Sequence, residues 1–275
     1  MRKFEKYIND HLHSLRRTIQ VGTVLLIVTI PLLNKIGFHA VSGTFYSLSI
    51  GELDIVDPAL ALQTILLTKS IYLPLLIAIV IPILIAVFFG KVFCSWVCPY
   101  NFLAEFSEKL RRKIKPPATY RNRNPKPQYY WLIFGIILML LIITGVPVIT
   151  LISMPGLITS QIADGLFYNV VGIEILLVVI LLVLELFVAS RFWCKYACPV
   201  GATLAVVRSK HALKIKYEPG NCAKCSEKTE NPCNKACPIN LNPRLAGIYP
   251  YCHNCFECVD RCRDIGCQAL SITFK

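Results

Sequence analysis

Most cysteines of this chain fall into four short motifs whose spacings could bring several thiols together. Two C-x3-C-P motifs begin at Cys94 and Cys194. Two longer motifs follow near the end of the chain, C-x2-C-x7-C-x3-C-P from Cys222 and C-x2-C-x2-C-x3-C from Cys252. Thiolate sulfur is a ligand for soft metals and a redox group, so each motif is a candidate metal or redox site.

The motif that begins at Cys252 has the spacing of bacterial 4Fe–4S motifs, in which the fourth cysteine ligates the other cluster. Short spacings let three thiolates converge from one loop, so the fourth ligand must come from a distant segment. Applied to both tail motifs, this exchange predicts two clusters. Their ligands would be Cys222, Cys225, Cys233 and Cys262 for the first, and Cys252, Cys255, Cys258 and Cys237 for the second.

Two features of the tail depart from the bacterial pattern. The polar insert SEKTENP lengthens the first motif, and Arg263 replaces the proline after Cys262. Cys267 then has no assigned role, and it could replace Cys262 as a ligand. The alternative is a pair of structural zinc sites, because four-cysteine spacings overlap between the two metals. The second tail spacing favours iron–sulfur clusters over zinc.

The C-x3-C-P motifs place their two thiols at i and i+4, on one face of a helix. Proline favours the first position of a helix, and the residue before it avoids helical dihedrals. We therefore expect one helix to end near Cys98 and another to begin at Pro99. Cys98 would occupy an N-cap, where free amides and the helix dipole stabilise a thiolate. Cys198, before Pro199, has the same setting.

The chain looks like an internal repeat of a helix pair followed by C-x3-C-P and a basic segment. If the halves pack as a pseudo-symmetric pair, four thiols meet at one point and could hold a third cluster or another soft metal. The alternatives are two reversible dithiols, thiols that contact a partner, or cysteines that pack as small hydrophobic side chains. The four residues are Cys94, Cys98, Cys194 and Cys198.

Four long apolar segments must position these motifs. They cover residues 18–36, 72–89, 130–149 and 170–189, each near the roughly 20 residues that cross a bilayer core. The composition, 55% hydrophobic and 16% charged, is too apolar for a soluble domain. We therefore expect a membrane α-helical fold with four transmembrane helices, a pseudo-repeat of two pairs. The first helix has no cleavage site after it and is interpreted as an anchor.

The net charge of +13 is unevenly distributed. Nearly all Lys and Arg residues lie in the N-terminal tail, in the connection 90–128 or after residue 190. The positive-inside rule then places both termini and that connection in the cytoplasm, and residues 37–71 and 150–169 outside. This indicates a multi-pass protein of the cytoplasmic (inner) membrane that contacts anionic lipid, and it argues against nucleic acid as a partner. All cysteines are then cytoplasmic, which favours metal or redox roles over disulfides.

Two alternating segments enclose the tail motifs. Leu213, Ile215 and Tyr217 alternate with polar residues, and Leu270 and Ile272 do so near the C-terminus. They predict paired end strands of a small α+β double-cluster ferredoxin domain over residues 211–275. The transmembrane domain would then cover residues 1–210, with an amphipathic segment at 99–127 along the cytoplasmic interface.

Two acidic residues lie in the fourth apolar segment. Glu185 precedes Cys194 by nine residues, and Glu174 lies nearly three helical turns earlier on the same face. An intramembrane carboxylate is a functional candidate, here for taking a proton when a quinol is oxidised beside the thiols. The alternative is that Glu174 is interfacial and Glu185 pairs with Lys91 or Arg191. No histidine lies within a segment, so we expect no membrane haem.

With these residues in view, the chain resembles the NapH/MauN family of ferredoxin-type quinol dehydrogenase membrane subunits, to which the NosR membrane part and CcoG-type proteins are related. The similarity rests on FCSWVCP (93–99), CKYACPVGA (194–202), IVDPALALQ (55–63) and the double-cluster tail. It implies electron transfer from the quinol pool to a partner redox protein, such as a ferredoxin-like or cytochrome subunit of a hetero-complex. It also implies an electron-relay role for the eight tail cysteines.

The sequence therefore predicts a membrane electron-transfer subunit that oxidises quinol and relays electrons through two 4Fe–4S clusters. The cofactors supply the redox chemistry, and the protein supplies orientation and electrostatics. One alternative is a CcoG-type copper reductase or assembly factor with the C-x3-C-P thiols as soft ligands. Another is a membrane redox sensor or anchor that only docks a partner.

Overall fold

The computed structural model describes residues 2–114, 124–187, 191–218, 232–245 and 247–274. Long apolar helices dominate its first three quarters. They are α1 (Arg2–Lys35), α3 (Leu73–Phe89), α6 (Pro127–Thr144) and α9 (Glu174–Phe187). The third apolar segment was expected to extend to residue 149. Helix α6 instead ends at Thr144, because Gly145 adopts a left-handed conformation with φ of 66°.

Two of these helices are long and apolar enough to span a membrane, over Leu12–Lys35 and Pro127–Thr144. The apolar helix α3 is shorter, at 17 residues. The apolar side chains of all four helices remain largely exposed, among them Leu25 at 62%, Ile77 at 61%, Ile143 at 75% and Phe187 at 63%. Exposed apolar surface of this extent needs an apolar environment or a partner to cover it.

The helix that precedes the first C-x3-C-P motif ends at Phe89, not near Cys98 as expected. Gly90 adopts φ 67° and ψ −138°, a conformation that L side chains avoid, and this breaks the helix. A short helix α4 (Val92–Trp96) then carries Cys94. The amphipathic helix α5 (Pro99–Ile114) begins at the proline, as predicted.

The second motif differs from the first in its local structure. Cys194 lies on a single π turn (Trp193–Ala197), and Cys198 is the N-cap of α10 (Pro199–Val207). The expectation that each cysteine pair lies on one α-helix is therefore wrong for both motifs, because Cys98 also lies beyond the end of α4, although Pro199 begins a helix as predicted.

The segments between the long helices fold against the C-x3-C-P motifs. Strands β1 (Val41–Gly43), β2 (Ser47–Ile50) and β3 (Leu53–Val56) form an antiparallel sheet. Asp57 then caps α2 (Pro58–Thr68) by accepting from the Ala59 amide at 3.0 Å. Helices α7 (Val148–Ile152) and α8 (Met154–Tyr168) follow α6. Both α2 and α8 begin beside the cysteines: Ala59 packs with Cys94 and Cys198, and Met154 with Cys194.

The tail is a small α+β unit. Strands β4 (Lys214–Tyr217) and β5 (Leu270–Thr273) pair antiparallel with Ile215 opposite Ile272, which confirms the predicted pairing of end strands. Between them lie α11 (Pro232–Ala236) and α12 (Glu257–Asp264). The tail core also contains Leu12 of α1 and Trp96 of α4, so the tail packs directly onto the helical part.

Candidate metal centres

The four cysteines of the C-x3-C-P motifs surround one cavity, here called the inner site. Its lining combines both motifs with residues from α5, α8 and the tail. Apart from the cysteines, these include Tyr100, Met154, Trp193, Gly201 and His253. The internal repeat predicted that these four cysteines meet if the two halves of the chain pack together. The structure brings Cys94, Cys98, Cys194 and Cys198 to one cavity.

A second cavity, here called the tail site, is lined by Cys237, Cys252, Cys255 and Cys258. The same four cysteines were predicted from the motif spacings to ligate the second tail cluster. The other lining residues are mainly apolar, including Ile215, Ile239, Leu241 and Ile248. The Leu241 amide donates to the Cys237 sulfur at 3.3 Å, a contact that favours a charged sulfur.

The remaining tail cysteines are only partly described. Cys233 and Cys262 are both buried in the tail core, at 3% and 1% exposure. Cys267 is buried in the same core, at 3% exposure, so it stays close enough to Cys262 to remain an alternative ligand. The other two members of the first predicted cluster, Cys222 and Cys225, lie outside the described residues.

The donor chemistry and the shape of these sites fit iron–sulfur clusters. Within the described ranges, no three His, Cys, Asp or Glu side chains are grouped as ligands of one metal ion. Instead, each set of four thiols surrounds a cavity. Thiolates are the usual ligands of 4Fe–4S clusters, and a polynuclear cluster separates its ligand sulfurs more widely than a single ion does.

Burial governs the protonation of the inner thiols when no metal is bound. The Tyr100 and Asn101 amides point at the Cys98 thiol and lower its pKa, as the predicted N-cap position required. Desolvation is the larger effect and raises the pKa of Cys98; that of Cys94 rises to about 12 for the same reason. The amides at the helix N-terminus therefore act on Cys98 in the expected direction, but desolvation outweighs them. Metal coordination deprotonates such thiols outright.

His253 is the residue that the inner and tail sites share. It is 2% exposed and lines both cavities. Its Nε2 lies 3.2 Å from the carbonyl oxygen of Cys194, and the neighbouring Cys252 belongs to the tail site. Burial lowers the pKa of His253 well below its usual value, so the ring is neutral. The His253 ring is therefore in contact with both sites.

Further hydrogen bonds hold the tail loop against the first C-x3-C-P motif. Ser95 Oγ donates to the His253 carbonyl at 2.7 Å, and Trp96 Nε1 donates to the Asn254 carbonyl at 3.2 Å. Asn254 in turn donates through Nδ2 to the Phe89 carbonyl at 2.8 Å. These buried contacts fix the distance between the two sites.

The carboxylate of Glu185 lies beside the inner site. It is 4% exposed, and its Oε1 accepts from the Trp193 amide at 3.1 Å. Its Oε2 and the Trp193 indole N–H are buried, and the buried Tyr100 hydroxyl lies beside the carboxylate as a side-chain hydrogen-bond partner. The alternative interpretation required an ion pair between Glu185 and Lys91 or Arg191. The described residues form no such ion pair.

Glu174 is not brought to the inner site. It lies in the first turn of α9, where its Oε2 accepts from Gln161 Nε2 at 3.3 Å. Gln161 in turn accepts from the Gly172 amide. These contacts anchor the beginning of α9.

Sequence reasoning missed four residues of these sites. Met154 and Asp57 belong to segments predicted to lie outside the membrane, and no periodicity indicated that α8 and α2 begin beside the cysteines. The charge pattern assigns Lys91 to the basic connection 90–128 and Glu185 suggests it as an ion-pair partner, but neither pattern predicts its burial beside the cysteines. No pattern in the sequence predicts a role for His253. The one available signal was its position next to Cys252.

Comparison with known proteins adds independent information. A family model described as a 4Fe-4S binding domain matches residues 71–117 and 171–218. Each matched segment contains one C-x3-C-P motif, and both end before the first tail cysteine. No solved structure matches the chain.

Among curated proteins, the chain is similar to the methylamine utilization ferredoxin-type protein MauN of Methylobacillus flagellatus. They share 28% identity over 81% of this chain and 74% of that protein. The ferredoxin-type protein NapH of Escherichia coli is 28% identical over 79% of this chain and 75% of its own length. The putative electron transport protein YccM of Escherichia coli is 25% identical over 70% and 54%, respectively.

Proposed function

We propose that this chain, a member of the NapH/MauN family of ferredoxin-type electron-transport proteins, is a membrane subunit that oxidises quinol. Electrons would pass through 4Fe–4S clusters at the inner and tail sites to a partner redox protein in a hetero-complex. The observation that carries this proposal is the position of His253, whose ring lines both cysteine cavities. A relay requires redox centres that lie close together.

The membrane location in this proposal includes four spans, formed by α1, α3, α6 and α9. Lipid would cover the apolar side chains that α3 and α9 leave exposed, such as Ile77 and Phe187. With cytoplasmic termini, the tail lies on the cytoplasmic face of the inner membrane. The exposed Phe106, at 74%, lies on the apolar side of α5 and supports a position of that helix at the lipid interface.

The inner site would hold its cluster through Cys94, Cys98, Cys194 and Cys198, and the tail site through Cys237, Cys252, Cys255 and Cys258. Cys233 and Cys262 would serve the first tail cluster with the two tail cysteines outside the described residues. When bound, these clusters supply one-electron transfer. The protein holds them apart from water, because the surrounding cores are apolar.

Glu185 is the proposed proton acceptor for quinol. A quinol that becomes a quinone releases two electrons and two protons. The carboxylate accepts one proton at its buried Oε2, and transfer of that proton to solvent prepares it for the second. The Tyr100 hydroxyl and the Trp193 indole N–H, which both line the inner site, can donate to the quinone oxygens. A cluster held by the four inner-site cysteines would supply one-electron acceptance, so that the two electrons of quinol would leave in separate transfers.

Anaerobic purification with iron and sulfide analysis tests the proposal. Two tail clusters predict about eight iron atoms per chain, and a cluster at the inner site raises this to about twelve. Added quinol should then reduce the clusters, as followed by electron paramagnetic resonance (EPR). Stoichiometric zinc without iron, or clusters that dithionite reduces and quinol does not, would overturn it.

Met154 supports a second candidate function, a copper reductase. Its thioether joins four thiols around the inner cavity and is 1% exposed, which makes a donor set that suits Cu(I). In this case the chain would reduce Cu(II) and retain the product at the inner site. Copper binding that is lost in a Cys94→Ser/Cys198→Ser variant, with quinol oxidation that depends on copper, would favour this function over the first.

A further inference from the structure

Lys91 is a buried cation whose role neither the comparisons nor the proposed function assigns. It follows the break at Gly90 and precedes α4, and it is 1% exposed. Its ammonium donates to the Tyr130 hydroxyl at 2.9 Å and to the Pro250 carbonyl at 3.1 Å. It also lies over the Tyr130 ring, 4.8 Å from the centroid. The side chain is thus held in one position.

The ammonium lies between the inner and tail sites. A methyl group on Gly201, which lines the inner cavity, would lie 3.3 Å from Lys91 Cε and 3.4 Å from Nζ. On the other side, Pro250 lies two residues before Cys252 of the tail site. Burial lowers the pKa of Lys91, and negative charge on cysteines of both sites, Cys94, Cys198, Cys252 and Cys194, opposes that shift.

The charge of Lys91 needs a partner. Neutral hydrogen-bond acceptors solvate a buried ammonium only partly, and burial of an unpaired charge is unfavourable. The carboxylates that pair with other buried cations, such as Glu105 with Arg16, lie elsewhere, and no ion pair within the described ranges includes Lys91. A 4Fe–4S core with four thiolate ligands is an anion in both of its common oxidation states.

We propose that the Lys91 ammonium is the shared counter-cation of the inner and tail clusters and raises the reduction potential of both. The inference rests on the proposed function, because it requires a cluster at each site. Reduction adds one electron to a cluster and makes it more negative, so a nearby fixed cation stabilises the reduced form. No bond or proton changes at Lys91. The residue keeps the two potentials close, which favours transfer in small steps.

The test is an EPR-monitored redox titration of the full chain, purified anaerobically, with each cluster signal followed separately. In Lys91→Met, we expect the ratio of reduced to oxidised cluster at fixed ambient potential to fall about tenfold at both sites, or about 59 mV for one electron. Lys91→Arg keeps the charge and should retain most of both potentials. Lys109→Met, which removes an exposed charge from α5, should leave both unchanged.

A Lys91→Met protein that keeps its iron and shows unchanged potentials, or a shift at one site only, would overturn the inference. If that variant does not fold, Tyr130→Phe removes one hydrogen bond from the ammonium and should shift both potentials downward by less; unchanged potentials there would also overturn it. Wild-type protein without an inner cluster would instead overturn the inner cluster of the proposed function, and the shared role of Lys91 with it. The EPR spectrum of the wild type separates these failures.

Discussion

The imidazole Nε2 of His253 lies 3.2 Å from the carbonyl oxygen of Cys194 and joins the two cysteine sites across the boundary between the helices and the tail. In His253→Phe, a ring of similar size remains, but the buried carbonyl loses its partner, which costs about 1–3 kcal/mol. We expect lower thermal stability, retained iron and slower reduction of the tail cluster by quinol. Rapid-freeze EPR measures this rate.

His39→Phe provides the matched control, because His39 is exposed and far from both sites in sequence. It should change neither the stability nor the rate. Equal effects of the two substitutions would contradict a specific role for His253.

The cysteine assignments predict distinct losses of iron. Cys198→Ser should remove about four iron atoms by disrupting the inner site, and Cys258→Ser about four by disrupting the tail site. The double variant should lose both sets. Iron analysis, with EPR to identify the lost signal, measures this.

Cys262 and Cys267 offer a sharper comparison within the tail core. Cys262→Ser should remove the first tail cluster, and Cys267→Ser should retain it, because Cys262 occupies the fourth position of the C-x2-C-x2-C-x3-C motif. The reverse pattern would show that Cys267 is the ligand.

Much of these sites could be predicted from the sequence, because cysteine spacing is a local signal. The exchange of ligands between motifs placed Cys237 with the Cys252 motif, and the structure brings them to one cavity. Proline placement predicted the start of α5 at Pro99 and of α10 at Pro199. Alternating residues predicted the β4–β5 pair. Each of these features depends on neighbours in the sequence or on a repeated pattern.

The missed features depend on tertiary packing. The break at Gly90 depends on a glycine conformation that also leaves room for the side chains of Arg208 and Asn254, since a Cβ there would lie 2.9 Å from Arg208 Nε and 3.1 Å from Asn254 Nδ2. Met154 reaches the inner site because α8 begins there. The apolar composition of this segment does not indicate how deeply the start of the helix is buried. The burial of Lys91 beside the cysteines could not be predicted, because charge patterning does not distinguish a buried cation from a surface one.

Glu185→Gln tests the proton acceptor. The amide has the same shape but cannot take a proton, so quinol oxidation should fall about 100-fold, whereas reduction of the clusters by dithionite should be unchanged. Glu174→Gln is the matched control in the same helix; it keeps a hydrogen-bonding side chain near Gln161 and should have a much smaller effect. Equal losses in both variants would assign proton transfer to the helix as a whole.

Asp57 predicts a pH dependence of stability. Burial raises the pKa of this carboxyl group from 3.8 to about 7, although the Ala59 amide opposes the shift. The folded chain therefore binds more protons than the unfolded chain between these values, and stability falls as pH rises from about 4 to about 7. Asp57→Asn does not titrate and can still accept from the Ala59 amide, so the variant should gain stability relative to wild type across this window.

Thermal unfolding in detergent from pH 5 to 8 measures the difference in stability between wild type and Asp57→Asn. The control is Asp54→Asn, because Asp54 is exposed. Parallel curves for wild type and Asp57→Asn would show that the carboxyl group is not desolvated.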